Sequence, residues 1–384
     1  MVQSQGAAIN ATAQRLLGDG AQTQAIATSH ARSAAFGLCP QTSVGPDALT
    51  HEALRAHRER HARLLSQAAP LMDTLVEQLG PARQFVMLAD ASGVILHLAG
   101  DAGFVERVRA VGLMVGASWS EASRGTNAVG TCLMNERPTM IHGSEHFLRA
   151  LHFLSCVAAP LLDHKGGLKG VIGIATERRG YHPHSLALVG MTARMIELAC
   201  FDDRFGAQGC LHFHPRAWSL GTPAEGRLAI DAQGRWLGAD HRAMELLGDG
   251  MQRLRREGLA GLLGPQAHQL LDLARDTVLP VSVPLQSTGI SEQLSLRYVP
   301  GGAEGQAIAL PEEPDGARAA YTLAATFAPA APMVDRMTTL REAEKHAIEA
   351  AVQSCAGNLS MAARQLGIGR STLYRKIKIG GPGG

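Results

Sequence analysis

The sequence predicts an α+β protein that ends in a small all-α domain. Residues 83–200 alternate apolar runs at strand spacing with apolar stripes at helical spacing, and residues 225–327 repeat this alternation more weakly. Residues 340–379 carry helical spacing only. The 384 residues are enough for about two to four compact units, so we expect these segments to be separate domains.

Composition excludes several classes of protein. The chain is 46% hydrophobic and 18% charged with a net charge of +2, so any nucleic-acid site must be local. The first residues lack signal-peptide features and no run of 18 apolar residues occurs, so we expect a cytoplasmic protein with no membrane partner. The six cysteines form no Cys-x-x-Cys pair, which argues against a disulfide framework and a zinc finger.

The beginning of the chain predicts two segments that precede the first sheet. Residues 1–48 open with a polar stretch rich in Ala and Gln, and we expect this N-terminal segment to be partly disordered. Residues 49–80 predict a helical leader, broken near Pro70 because proline lacks the backbone donor of a helix interior. The leader either introduces the next domain or forms a helix of a dimer interface.

Residues 81–204 predict the first α+β domain, a sheet covered by helices. Asp90–Gly93 is a turn signal between two apolar runs, which is typical of a hairpin. The predicted strands and final helix are Gln84–Ala89, Val94–Leu98, Thr139–His142, Cys156–Leu162, Gly170–Ala175 and the helix His184–Cys200.

A smaller α+β domain is predicted at residues 225–327, after a linker at residues 201–224. The flexible segment 328–339, rich in Pro and Ala, then connects it to the C-terminal domain. Its predicted elements are the strands Arg227–Ile230, Trp236–Ala239, Val278–Val283, Gln293–Val299 and Tyr321–Phe327, and the helix Arg242–Leu247.

Residues 340–379 predict a helix-turn-helix. Residues 350–384 contain five basic residues and no acidic one, a concentrated positive patch in a nearly neutral chain. Ser360 is a good N-cap for a short helix, and Gly367–Gly369 provides the turn to a third helix, Arg370–Lys378. That third helix would enter the major groove of DNA. A basic helix exposed to solvent is the alternative interpretation.

The predicted DNA-binding residues lie on and before the third helix. Arg370 and Thr372 would read bases, and the others would hold phosphates or support the motif. The complete set is Asn358, Ser360, Arg370, Ser371, Thr372, Tyr374, Arg375 and Lys376. The stretch from Cys355 to Lys378 resembles the Fis-type helix-turn-helix, and this resemblance implies a homodimer that binds an inverted-repeat operator.

Three segments of the first domain have unusual chemistry: Trp119–Thr131, Gly143–Phe147 and Tyr181–Val189. A metal site among nearby histidines, or a catalytic Cys156–His152 pair, is disfavoured because no ligand spacing here matches zinc. The GTNAVGT loop lacks the GK[ST] ending of a phosphate loop. The sequence therefore predicts no catalytic residue, no metal ligand and no cofactor.

The first domain resembles the sensor half of acetoin-catabolism-type, sigma-54-dependent activators. The segments that carry this resemblance are Arg32–Leu38, Trp119–Thr131, Gly143–Phe147, Cys156–Pro160 and His182–Val189. The resemblance implies a GAF domain that binds a small effector, such as an alcohol, diol or ketone, and a PAS-like domain at 225–327. Leu154 stands where that family often has Trp. The candidate wall of the effector pocket is Trp119, Asn127, Phe147, His152 and Cys156.

The ATPase domain that such activators carry between sensor and DNA-binding domain is missing. The sequence contains no GxxxxGK[ST] motif. We therefore expect a non-enzymatic, dimeric, metabolite-responsive DNA-binding regulator, with RNA polymerase as a further partner. The alternative is an interaction protein that forms mixed dimers with full-length activators.

Overall fold

The computed structural model describes residues 21–301 apart from 44, 46, 81–82, 181, 183, 276 and 285–290. These residues form two five-stranded antiparallel sheets flanked by helices, which confirms the α+β prediction. No helix in this part of the chain combines the length and the apolar character needed to cross a membrane.

Three helices precede the first sheet: α1 (Ala21–Ala35), α2 (His51–Arg60) and α3 (Ala62–Leu79). The sequence analysis did not predict α1, whose alanines and small polar residues form no clear apolar stripe. The predicted break near Pro70 is wrong, because α3 continues through Pro70 and the helices break at His61. Pro70 lies on the exposed side of α3, while buried residues of the same helix pack on the sheet and offset the missing backbone bond.

The first sheet has the order β2-β1-β5-β4-β3. Its strands are β1 (Gln84–Asp90), β2 (Ile95–Gly100), β3 (Thr139–His142), β4 (Leu154–Leu162) and β5 (Leu168–Glu177). The helices around it are α4 (Ala102–Arg109), α5 (Glu121–Arg124), α6 (Ala128–Asn135) and α7 (Ser185–Phe205). All five strands lie where the sequence predicted them, and α7 continues beyond the predicted end at Cys200.

Both faces of the first sheet are covered, so all seven residues of β1 are buried. Side chains alternate between the faces along a strand, and Phe85 and Met87 therefore enter one core while Val86 and Leu88 enter the other. The first core contains residues of α4 and α6, and the second is closed by α3 and α7. We call the first of these the inner core.

The second sheet has the order β8-β7-β6-β10-β9. Its strands are β6 (Gly209–His214), β7 (Gly226–Ile230), β8 (Trp236–Ala239), β9 (Leu279–Pro284) and β10 (Ser291–Val299). Its helices are α8 (His241–Leu247), α9 (Gly250–Glu257), α10 (Leu259–Leu263) and α11 (Ala267–Leu273). The sequence analysis predicted α8 but not α9, α10 or α11, and its predicted strand Tyr321–Phe327 lies outside the described residues.

The linker interpretation of residues 201–224 is wrong, because β6 is the central strand of the second sheet. Only Leu211 and Phe213 of this strand belong to the apolar core, and the histidines between and after them hide the strand pattern. His212 is tolerated because its Nδ1 lies 2.8 Å from Oε1 of the buried Glu225.

The two sheets meet where the β4–β5 turn lies against β8. The Ala239 amide donates to the His164 carbonyl at 2.9 Å, and the Arg255 guanidinium donates to the Lys165 carbonyl at 3.0 Å. Gly238 is required at this contact, since an added Cβ would lie 2.7 Å from the Phe205 ring. The backbone bond and the missing side chain fix how close β8 approaches the first sheet.

Candidate sensor site and DNA-binding segment

The predicted DNA-binding residues, from Asn358 to Lys376, lie outside the described residues. Of the two predicted sites, the structure therefore describes only the effector site.

Two of the predicted effector-binding residues, Trp119 and Cys156, are packed in the inner core. The Trp119 indole donates to the Gly112 carbonyl at 3.1 Å, so its polar atom already has a partner. Burial raises the pKa of the Cys156 thiol to about 12, which keeps it neutral at physiological pH. Phe147 packs against the same core from its edge.

Asn127 caps α6. Its Oδ1 accepts from the Gly130 amide at 2.9 Å, and its Nδ2 donates to the Gly125 carbonyl at 2.8 Å. Gly125 has a φ of 62° and packs on Phe147, so the loop conformation explains the Gly and Asn of this motif.

His152 lies apart from the other four candidates, on an open basic cleft. Its Nε2 lies 3.1 Å from the His146 carbonyl. The other residues lining this cleft are Arg83, Arg107, Arg149, Phe153, Glu177, Arg178 and Arg179. The structure therefore brings Trp119, Phe147 and Cys156 together, places Asn127 at a helix cap and separates His152 from them.

A largely buried polar cluster joins α1 to residues 121–131, which contain α5 and the start of α6. The Arg32 guanidinium donates twice to the Glu121 carboxylate, at 2.6 and 2.8 Å. Ser29 Oγ donates to Glu121 Oε1 at 2.5 Å and lies 2.8 Å from Thr126 Oγ1, and Thr131 Oγ1 donates to Glu121 Oε1 at 2.9 Å. We call these five residues the α1 clamp. The sequence analysis singled out both segments but did not predict that they meet.

His146, in the segment Gly143–Phe147, is a buried titratable group. Its Nδ1 lies 3.0 Å from the Gly143 carbonyl and so carries the proton, while Nε2 has no hydrogen-bond partner among the described residues. Burial lowers the pKa of His146 to about 4. The imidazole is therefore neutral at physiological pH.

A cleft of about 300 Å³ lies at the junction of the two sheets. We call it the junction cleft. Its apolar part is formed by residues of β4 and α7, and its polar part includes Glu197, Asp240 and His241. Its lining also contains His61, Leu64, Leu161, Lys169, Ile196, Cys200, Phe201 and Ala239.

The polar groups of the junction cleft are coupled. Glu197 Oε1 accepts from the Leu162 amide at 2.7 Å, and Oε2 lies 3.4 Å from His241 Nδ1. This contact with Glu197 raises the pKa of His241. Burial raises the pKa of Asp240 to about 6, although the carboxylate accepts backbone hydrogen bonds. A cleft with an apolar wall and a few converging polar groups fits a small organic ligand.

Two family models match the chain. Residues 6–197, half of the chain, match "MimR, N-terminal domain", and residues 339–378 match "Bacterial regulatory protein, Fis family". The first match includes α1, the α1 clamp and the first sheet. The second match includes all eight predicted DNA-binding residues, which lie between Asn358 and Lys376.

Several curated relatives are named as transcriptional regulators. The acetoin dehydrogenase operon transcriptional activator AcoR of Bacillus subtilis is 33% identical over 172 residues, which cover 45% of this chain and 28% of the relative. The acetoin catabolism regulatory protein of Cupriavidus necator is 34% identical over 226 residues, covering 55% and 32%. The propane 2-monooxygenase operon transcriptional activator MimR of Mycolicibacterium smegmatis is 32% identical over 136 residues, covering 35% and 23%. The matched part is thus at most about a third of each relative.

Among solved structures, the DhaR(N)–DhaL complex of E. coli matches with a TM-score of 0.46 at 18% identity, covering 71% of this chain and 99% of that chain. The GAF domain of CodY from Clostridium difficile matches with a TM-score of 0.23 at 15% identity, covering 39% and 98%.

Proposed function

The chain belongs to the family of the MimR N-terminal domain, and from this premise we propose that it is a dimeric DNA-binding regulator of transcription that responds to a small effector and has no ATPase activity. One observation carries the proposal: a single chain combines the family's N-terminal domain at 6–197 with a Fis-type segment at 339–378. The relatives that share the first segment are themselves named as transcriptional activators or regulators.

DNA binding is assigned to the Fis-type segment. Its basic residues would neutralise phosphates, while Arg370 and Thr372 would contact base edges in the major groove. Two copies of the segment in a homodimer would read the two halves of an inverted repeat.

The lack of ATPase activity is inferred from what lies between the two matched segments. The described residues 209–299 fold as an antiparallel sheet with short helices, and the sequence has no GxxxxGK[ST] motif anywhere. A phosphate loop needs that motif to hold the nucleotide. The protein would therefore act by recruiting or blocking RNA polymerase instead of remodelling it with ATP.

The effector site is best placed in the junction cleft. A ligand there would contact both sheets. It would favour one of two conformations of the protein only if it made better contacts in that conformation. Relatives are named for operons of acetoin, glycerol and dihydroxyacetone, which are small hydroxy or keto compounds. Glu197 and His241 could bond to the hydroxyl groups of such a molecule. The predicted wall around Trp119 is the competing location.

The full-length chain tests the DNA-binding assignment. A DNA fragment selected by the protein from a random library should bind the wild type, and Arg370→Ala should weaken that binding by about 1–3 kcal/mol and relax one base position. Lys376→Ala should weaken binding to all sequences and lower the salt slope by about one. Unchanged DNA binding after removal of residues 339–384 would refute the assignment.

The effector proposal is tested by thermal shift with acetoin, glycerol and related diols. A ligand at about 100 times its Kd should add about 2.7 kcal/mol of stability. His241→Ala should abolish the shift if the junction cleft is the site, whereas Cys156→Ala should abolish it if the inner core is the site. The alternative function, mixed dimers with longer activators, predicts co-purification of such an activator from the host and no homodimer.

A further inference from the structure

Two histidines and one aspartate converge where the break between α2 and α3 meets the β1–β2 turn. His57 Nδ1 lies 3.0 Å from Asp90 Oδ2, and His61 Nε2 lies 3.7 Å from the same oxygen. One nitrogen or oxygen from each residue falls within 4.8 Å of the other two. The two histidines stand four residues apart, a spacing that puts both on one side of a helix.

The two histidines contact Asp90 differently. His57 Nδ1 lies within hydrogen-bond distance of Oδ2, whereas 3.7 Å is too long for a second hydrogen bond from His61. The His61 nitrogen therefore lies near this oxygen without bonding to it.

The two distances to Asp90 Oδ2 are close to those between two ligands of one metal ion. Zinc–nitrogen and zinc–oxygen bonds are about 2.1 Å, so two ligand atoms on one ion lie about 3.0 to 3.4 Å apart. The distance to His57 lies at this range, and the distance to His61 exceeds it by a few tenths of an ångström. A small rotation of the His61 ring, whose side chain is 25% exposed, would close that difference.

Hydrogen bonds to one oxygen of Asp90 already fix the orientation of its carboxylate. Asp90 Oδ1 accepts from the Ser92 amide at 2.9 Å, the Ser92 hydroxyl at 2.6 Å and the Val94 amide at 3.0 Å. These bonds hold the carboxylate in the turn and leave Oδ2 for the histidines. In metal sites, the carboxylate ligands are oriented by hydrogen bonds of this kind from neighbouring groups.

The charges around the three residues also permit a cation. The Asp90 carboxylate is the anion of the set, and its charge would offset part of the charge of a bound cation. Arg60 and Lys169 are the cations near His61. Lys169 lies 3.9 Å from Asp163, so part of its charge is offset there.

We propose that His57, His61 and Asp90 bind a divalent transition-metal ion of the Zn²⁺ type, with water in the remaining position. Two histidines and one carboxylate form a ligand set used for Zn²⁺ and Fe²⁺ in proteins. The ion ties the α2–α3 joint to the β1–β2 turn. Because His61 also lines the junction cleft, the ion would stand beside the proposed effector site.

The test uses the full-length protein freed of metal by a chelator and titrated with Co²⁺, then with Zn²⁺ as competitor. The wild type should develop the visible absorption of a low-symmetry Co²⁺ site with one ion per chain, and Zn²⁺ should erase it. The double variant His57→Gln/His61→Gln should bind more than about 100-fold more weakly, since even loss of a second-shell partner costs 10- to 100-fold. Ser92→Ala should weaken binding by about tenfold.

His51→Gln is the matched control, because it makes the same change at an exposed position of α2. It should bind Co²⁺ like the wild type, and circular dichroism of the metal-free variants should show the wild-type fold. Equal Co²⁺ binding by the wild type and the double variant would overturn the proposal, as would equal loss in His51→Gln. A Co²⁺ spectrum no different from the hydrated ion would overturn it too.

Discussion

The inner core is made of buried apolar side chains, whereas the lining of the junction cleft includes many charged ones. The inner core buries Trp119, Phe85 and Ile141 almost completely, and several polar groups beside it are held in the α1 clamp or in a helix cap. The lining of the junction cleft includes carboxylates, imidazoles and basic side chains, and burial raises the pKa of Asp240 to about 6. The first region is closely packed, whereas the second contains space and groups that titrate.

This difference separates residues that stabilise the fold of the first domain from residues that are free to contact a ligand. The segments that resemble known activators fall mostly in the first region, where Asn127, Arg32 and Glu121 hold the fold together. A ligand that only filled the inner core would have to displace packed side chains. A ligand at the junction needs no such displacement, and it would touch both sheets.

Removing the anion of the α1 clamp should cause the largest loss of stability. Glu121→Ala leaves Arg32, Ser29 and Thr131 without their shared acceptor, and loss of one partner of a buried charge pair costs about 3–5 kcal/mol. We expect a value near 3 kcal/mol, since the Arg32 side chain is 24% exposed. Urea denaturation measures the change in the free energy of unfolding.

Glu106→Ala is the control for that experiment. Glu106 lies 3.8 Å from Arg109 in an ion pair whose side chains are 75% and 57% exposed. Its removal should change the free energy of unfolding by less than about 0.5 kcal/mol. A cost below about 1 kcal/mol for Glu121→Ala would mean that the α1 clamp does not stabilise the inner core.

Acid should destabilise the first domain through the buried His146. The pKa of His146 in the folded protein is about 4, below its ordinary value of 6.5, so the unfolded chain takes up the proton first as pH falls. Stability is complete above about pH 6.5 and decreases toward pH 4, by about 3 kcal/mol in total. The neutral variant His146→Gln should lose this part of the pH dependence, and His182→Gln, at an exposed position, should retain it.

The sequence predicted the sheets better than the helices and the contacts. The five strands of the first sheet are apolar runs bounded by turn residues, a local pattern that needs no tertiary information. The central strand β6 was missed because His212 and His214 interrupt it, and their burial depends on partners such as Glu225 elsewhere in the fold.

The candidate sites show the same limit. Arg32 and Glu121 stand in segments that the sequence analysis flagged, yet 89 residues separate them, and only the fold brings them together. His57 and His61 lie in the predicted leader helix, but the sequence offered no sign that Asp90 approaches them. Its approach depends on a helix break at His61 that the sequence analysis had placed near Pro70.

The junction should respond to pH in the opposite direction from the inner core. Burial raises the pKa of Asp240 from 3.8 to about 6, so its contribution to stability is complete below about pH 3.8 and is lost as pH rises to 6. Asp240→Asn keeps an acceptor for the Ala243 amide at 2.6 Å without the charge. We expect the variant to be about 1–3 kcal/mol more stable than the wild type at pH 7 and equal to it below pH 4.

The matched control for this prediction is Asp249→Asn, which removes a carboxylate from an exposed position of the same sheet region. Its stability should follow the wild type within about 0.5 kcal/mol at every pH. If Asp240→Asn and Asp249→Asn have the same pH profile, the Asp240 carboxylate is as well solvated as an exposed one, and the contrast with the inner core disappears.

The smallest effect is expected for an ion pair across the junction. Arg194 Nη2 lies 3.1 Å from Glu245 Oε2, with the two side chains 38% and 40% exposed. Water screens such a pair, and Glu245 keeps its contact with Arg242 at 3.0 Å when Arg194 is removed. Arg194→Ala should therefore cost less than about 1 kcal/mol, and less still at high salt. A cost above about 2 kcal/mol in urea denaturation would show that the junction is held as firmly as the inner core, and a ligand there could not shift the two sheets as we propose.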